Sequence, residues 1–174
     1  MSDLQLFLRD EAHTLAFGEL LALAMRTNGS FTIKSDYLKN PEDVKILGGI
    51  IYLNGGLGAG KTTLTRGVMR GFGYEGAVKS PTYTLLEPYQ TDQGEVFHFD
   101  LYRLKSPEEL EFLGFDEIFE GPGFKFVEWP EQGAGWLPPA NVEVSLSLHA
   151  PNQTTEEPID FVAQMQRKVS VRIA

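Results

Sequence analysis

The sequence predicts an α/β fold with a mostly parallel central sheet flanked by helices, and three observations carry that prediction. Apolar, strand-like runs alternate with helical patterns through the first three quarters of the chain. Four glycines, Gly55, Gly56, Gly58 and Gly60, break the first buried run just before a helix. The last quarter alternates apolar and polar residues, which predicts antiparallel strands added toward the C-terminus.

The elements follow in order. Ala12, Leu15, Ala16, Leu20 and Leu23 recur at three- and four-residue steps, a helix opening near Asp10. Asn28 to Asp43 is a polar excursion, with about 30–43 read as a loop insertion. Val44 to Leu53 is a buried strand, and Lys61 to Phe72 a helix stopped at Gly73. Val96 to Asp100 is a second buried strand. Ser106, Pro107 and Glu109 form a helix start, with Gly114 ending the helix after Leu113. Phe124 to Glu128 is a third strand. Val142 to Leu148, Ile159 to Ala163 and Val169 to Ile173 complete the sheet. No linker divides the chain, so residues 1–174 are read as one domain.

Composition narrows the function. The 174 residues carry 15 Lys and Arg against 24 Asp and Glu, a net charge of −9, which disfavours unaided nucleic-acid binding. Cysteine is absent, which excludes disulfides, thiolate metal sites and a cysteine nucleophile. No run of about 18 apolar residues predicts a membrane span, and Met1 to Arg9 lacks the pattern of a secretory signal. The expected location is the cytoplasm.

Gly55 to Thr62 reads Gly-Gly-Leu-Gly-Ala-Gly-Lys-Thr, the G-x-x-x-x-G-K-[ST] phosphate loop, placed between a predicted strand and a predicted helix. Glycines let the backbone curl around a phosphate with its N–H groups inward, and the following helix adds the positive end of its dipole. Lys61 would bridge the β- and γ-phosphates, and the Thr62 hydroxyl would ligate Mg²⁺. Such a loop needs acids at the ends of neighbouring strands, and Asp100 and Glu128 each end one. Which acid binds metal and which positions water stays open. The interval Lys79 to Thr84 is placed for a switch-like loop, with Thr82 or Thr84 reaching the γ-phosphate. His98 is turned away from Phe97 and Phe99 by strand alternation and is read as structural or partner-facing.

With those residues in hand, the chain resembles the TsaE (YjeE) family, P-loop ATPases of tRNA threonylcarbamoyladenosine (t6A) biosynthesis. The resemblance rests on Leu57 to Thr63, Val78 to Leu85, Phe97 to Leu104, Pro107 to Gly114 and Val127 to Pro130, in that order. It implies a P-loop NTPase-like fold and an ATPase that binds ATP and Mg²⁺ and works with the proteins TsaD and TsaB. It implies contact with tRNA only indirectly or within that complex. It places ATP at Gly58, Ala59, Gly60, Lys61, Thr62 and Thr63, with Thr82 in the switch-like loop and Glu11 near the base. It gives Thr62, Glu128 and Asp100 to the metal and Lys61, Asp100 and Glu128 to the chemistry. Trp129 either packs near the nucleotide or serves as an ordinary core residue.

The family often has Asp where this chain has Gly56, and the last quarter offers no residue-level match. Arg167, Lys168 and Arg172 there either face a partner or tRNA or are solvated ends. The alternatives are a small-molecule or nucleotide kinase, a nucleotide-gated assembly module and a GTPase switch. A kinase calls for an arginine-rich lid, whereas the seven arginines are scattered singly. No N-K-x-D guanine-reading motif occurs.

Overall fold

A computed structural model describes residues 4–27, 48–149 and 166–173. The predicted strand over 159–163, the excursion over 28–43 and residues 44–47 of the first predicted buried strand lie outside these.

The strands are β1 (Leu4–Leu8), β2 (Gly48–Asn54), β3 (Leu86–Thr91), β4 (Gly94–Asp100), β5 (Gly123–Glu128), β6 (Val142–His149) and β7 (Gln166–Ile173). They form one seven-stranded sheet in the order β1-β7-β6-β2-β5-β4-β3. The centre, β6-β2-β5-β4, is parallel throughout. Both edges are antiparallel: β3 pairs with β4, while β7 pairs with β6 and β1. Antiparallel strands therefore flank the core on both sides rather than only toward the C-terminus. The edge strands β1 and β3 carry no sequence signal that marked them. Both are short edge strands with exposed residues, so neither gives a long buried run.

Helix α1 (Glu11–Thr27) starts where predicted. Asp10 caps it, accepting the His13 N–H at 2.9 Å, a partner for one of the helix's orphan donors. Its buried face is not the apolar repeat of Ala12, Leu15, Ala16, Leu20 and Leu23. Thr14, Phe17, Gly18, Ala22 and Met25 face inward, while Leu20 and Leu23 are exposed. The reason is a close crossing with α2 (Lys61–Gly71), where small residues rather than large apolar ones make the contact. A Cβ on Gly18 would lie 2.5 Å from the Leu64 carbonyl oxygen, and one on Gly67 would collide with the Leu15 carbonyl oxygen. Helix propensity alone favours alanine at such sites by about 1 kcal/mol. Here the backbone contact outweighs it, so Gly67→Ala is expected to destabilise the protein by about 2 kcal/mol. Urea unfolding reads this as a lower midpoint at unchanged slope.

The two helices cover one sheet face over a core that includes Ile51, Leu53, Leu64, Val68, Phe124 and Phe126. The opposite face holds Phe99, Leu110, Phe115, Phe119 and Val127, covered by a 3-10 helix over Pro107–Leu113 and by α3 (Phe115–Glu120). The predicted helix from Pro107 is thus 3-10, and Gly114 in the left-handed region ends it and begins α3. Ser106 makes no side-chain cap, and only Leu110 of that helix is buried, so little anchors a full α-helical turn.

Lys125 points into this second face and is fully buried. Its ammonium donates to the carbonyls of Pro122 and Gly123, each at 3.0 Å, and to that of Gly121, gathering the chain where α3 turns into β5. Burial pushes its pKa down to about 8. Between about pH 8 and 10.5 the unfolded chain therefore holds a proton that the folded chain has released, so stability rises with pH there. The wild type is expected to gain about 2 kcal/mol from pH 7.5 to 9.5 relative to Lys125→Met. Urea titrations of both proteins at the two pH values check this.

Candidate functional site

The parallel strands β2, β5 and β4 end together at one edge of the sheet, where ligands bind in open α/β folds. The glycine loop leaves β2 at this edge and turns into α2. Gly60 stands at the N-cap with φ of 103°, a left-handed conformation that a side chain would strain. That turn aims the first N–H groups of α2 into a cavity of about 540 Å³. The cavity is lined by Leu57 to Thr63 from the loop and by Ser80, Thr82, Asp100, Glu128 and Trp129 facing them.

The two strand-end acids are direct neighbours, since Asp100 pairs in register with Glu128 across β4 and β5. Each is only 3% exposed. Their partners differ. The Thr62 hydroxyl donates to Glu128 Oε1 at 2.8 Å, and His98 Nε2 meets the same oxygen at 2.9 Å. Asp100 Oδ2 accepts from Ser80 and Thr82 at 2.9 and 2.5 Å, and its Oδ1 accepts the Tyr102 N–H. Glu128 is thereby coupled to the phosphate loop, and Asp100 to the Ser80–Thr84 loop. Thr84 bonds to Glu87 instead, which separates it from Thr82.

Lys61 is buried among these groups. Its ammonium donates to the Gly55 and Gly56 carbonyls at 2.6 and 3.0 Å and lies 4.1 Å from the centre of the Trp129 ring. Burial lowers its pKa, and the nearby Glu128, Asp100 and Glu131 charges work against that. Trp129 therefore packs at the cavity. It holds φ of 58°, uncommon for so bulky a residue and typical of strain kept at functional sites. Leu85, at the end of the Ser80–Thr84 loop, has φ of 63°.

The donor set suits Mg²⁺. A hydroxyl and two carboxylates, all hard oxygens, converge beside helix N–H groups with room for phosphate and water. Among the described residues no group of three or more His, Cys, Asp or Glu could hold a metal alone, so such an ion would need oxygens from a ligand.

Of the residues singled out in the sequence, Gly58 to Thr63, Thr82, Asp100 and Glu128 all line the cavity. Glu11 does not. It is exposed and meets Arg66 at 3.3 Å. Thr14, one turn along α1, comes nearer, with its methyl close to Gly60. His98 is fully buried beside Glu128, a structural position rather than a partner-facing one. Arg167 also lines the cavity, which the sequence left undecided. A larger cavity of about 700 Å³ lies away from the loop, beside Arg66, Arg70, Tyr74 and Asp92. It has neither the glycine turn nor paired strand-end acids.

A glycine loop between a parallel strand and a helix, faced by acids on the next two strands, defines an α/β protein of the P-loop type. The family described as Threonylcarbamoyl adenosine biosynthesis protein TsaE matches residues 8–157, and the chain belongs to that family. It is similar to the tRNA threonylcarbamoyladenosine biosynthesis protein TsaE of Haemophilus influenzae, 52% identical over 100 residues. That stretch is 58% of this chain and 63% of the relative. The protein of the same name from Rickettsia felis is 36% identical over 144 residues, 82% of this chain and 72% of the relative. The crystal structure of YdiB from Bacillus subtilis shares the fold, with a TM-score of 0.62 at 23% identity, covering 99% of this chain and 87% of that one. Among the described residues no helix is long and apolar enough to cross a membrane.

Proposed function

We propose that this protein is a Mg²⁺-dependent ATPase of tRNA t6A biosynthesis. It acts in the cytoplasm with TsaD and TsaB through ATP binding and hydrolysis, without transferring the threonylcarbamoyl group itself. The observation that carries the reading is the hydrogen bond from Thr62, first turn of the loop helix, to Glu128, with Asp100 beside it in register. Family membership supports the pathway.

In this reading the loop N–H groups cradle the phosphates, and Lys61 gives up the Gly55 and Gly56 carbonyls to meet the terminal ones. Thr62 and Glu128 would hold Mg²⁺, which neutralises charge on the phosphate oxygens when bound. Asp100 orients the attacking water. As that water's oxygen bonds to the γ-phosphorus, the bond to the bridging oxygen breaks, ADP leaves with that oxygen, and the water's protons stay with the released phosphate. Ser80 and Thr82 tie Asp100 to the loop that reports the change. His98 holds the Glu128 carboxylate in place. Leu57 and Tyr83, both exposed near the cavity mouth, suit contact with a protein partner.

Phosphate release without any acceptor separates this from a kinase. The expected result is release from ATP with Mg²⁺, abolished by EDTA and competed by ADP more strongly than by GDP. Phosphate appearing only on an added acceptor would favour the kinase, and preference for GTP would favour a GTPase.

A further inference from the structure

The cavity of about 700 Å³ beside the second half of α2 shares no lining residue with the phosphate-loop cavity. Arg66 and Arg70 both line it, one turn apart on α2 and so about 6 Å along its axis. Among the described residues the Arg70 side chain has no hydrogen-bond or ion-pair partner. Arg66 meets Glu11 at 3.3 Å, an exposed pair of the kind that contributes little and yields to a better partner. The rest of the lining differs in kind. Tyr74 supplies an aromatic ring, braced edge-on by Tyr89 at 5.2 Å. Asp92 supplies a carboxylate packed so closely on Gly73 that a Cβ there would collide with its Oδ2. The Asp92 N–H donates to the Phe72 carbonyl at 3.2 Å, which ties the β3–β4 turn to the end of α2. That carboxylate too has no hydrogen-bond partner among the described residues. Glu75 is a second acid on the lining.

We infer that this cavity holds one unstacked nucleotide of single-stranded RNA, its flanking phosphates on Arg66 and Arg70, its base against Tyr74 and its amino edge on Asp92. Guanidinium groups match phosphate oxygens with a planar fork of donors. Unstacked bases pack on aromatic rings, and their exocyclic amino groups donate to carboxylates. The two acids disfavour a bare polyphosphate, which they would repel. The overall charge of −9 opposes RNA, but Leu57 to Ser80 departs from it, with Lys61, Arg66, Arg70 and Lys79 against Glu75 alone. Lys61 is buried in the other cavity, so the exposed part of this charge lies around the α2 end. Binding is therefore local, uses few phosphates and weakens with salt. The inference rests on the tRNA pathway of the family, and not on the glycine loop as an ATPase site.

The test is fluorescence anisotropy of labelled oligocytidylate and oligouridylate, about 10 nucleotides long at about 50 mM salt and above, with melting temperatures to verify folding. The proteins are wild type, the double variant Arg66→Ala/Arg70→Ala, and Asp92→Ala. The double variant is expected to lose about 10-fold in affinity for both oligomers, with a salt slope smaller by about 1.4. Wild type should prefer oligocytidylate about 5-fold, because cytosine carries an amino donor that uracil lacks. Asp92→Ala should erase that preference while binding oligouridylate at least as tightly. No binding by wild type, or unchanged affinity in the folded double variant, would overturn the inference. A cytidine preference that survives Asp92→Ala would overturn it too. Displacement of RNA by ADP as effectively as by unlabelled oligomer would make this a site for free nucleotides instead. A polyglutamate peptide bound with the same sensitivity to the double substitution would make it a site for acidic protein segments. Absence of phosphate release by wild type would count against the glycine loop and leave this cavity's test untouched.

Discussion

Lys61→Ala is expected to lower Mg·ATP hydrolysis by about 100- to 1000-fold, the range seen when one preorganised charge-stabilising donor is removed. The reason lies in how the side chain is held. Lys61 is 4% exposed, within the field of Glu128 and Asp100, and its ammonium donates to the loop carbonyls of Gly55 and Gly56. Among the described residues no neighbouring cation is placed to take over. Arg167 stands on the other flank of the loop, and Arg103 is engaged with the Tyr83 ring, 4.2 Å from its centre. The loss should appear in turnover and in affinity for the γ-phosphate. Steady-state phosphate release, with circular dichroism to verify folding, measures it. Turnover within about two-fold of wild type would remove Lys61 from the chemistry.

Glu128→Gln is the second large effect. Glutamine keeps the size of the side chain and an oxygen for the Thr62 hydroxyl, so the local hydrogen bond can survive. What disappears is the charge that would hold a hard cation beside Thr62. The expected result is a Mg²⁺ requirement shifted upward about 10-fold or more and a rate lowered about 100-fold, with folding intact. Asp100→Asn should behave differently. Its carboxylate is bound to Ser80, Thr82 and Tyr102, so the variant should lose rate with a smaller change in Mg²⁺ requirement. A Mg²⁺ dependence for Glu128→Gln that overlays the wild type would reverse the assignment of the two acids.

The parts of the site made by local chemistry were legible in the sequence. Gly55 to Thr62 is a contiguous pattern whose spacing states its own geometry. Asp100 and Glu128 close apolar runs, and parallel pairing sets them side by side. The remaining parts depend on contacts between distant segments. Arg167 reaches the cavity only because β7 pairs antiparallel with β6 and β1. Nothing in the C-terminal quarter distinguishes it from Lys168 or Arg172. His98 reads as a lone histidine until Phe126 and Glu128 bring a carboxylate against it.

The fold follows the same division. The parallel strands β2, β5 and β4 are mostly apolar and buried on both faces, whereas β6 alternates buried and exposed residues. The apolar repeat of α1 is not its buried face, because the crossing with α2 is built on Gly18, Ala22, Gly67 and Gly71. Counting apolar side chains favours Leu20 and Leu23, which the close backbone approach leaves outside. Gly56 shows the converse. A Cβ there would meet nothing within 4 Å, so an aspartate at that position fits the same loop conformation.

The most direct test is a crystal structure with Mg²⁺ and a non-hydrolysable ATP analogue. The expected result has the phosphates wrapped by Gly58 to Thr63, the metal between Thr62 and Glu128, and Asp100 facing the γ-phosphate. Nucleotide bound instead in the cavity beside Arg66, Arg70 and Tyr74, or a metal away from both acids, would contradict the account.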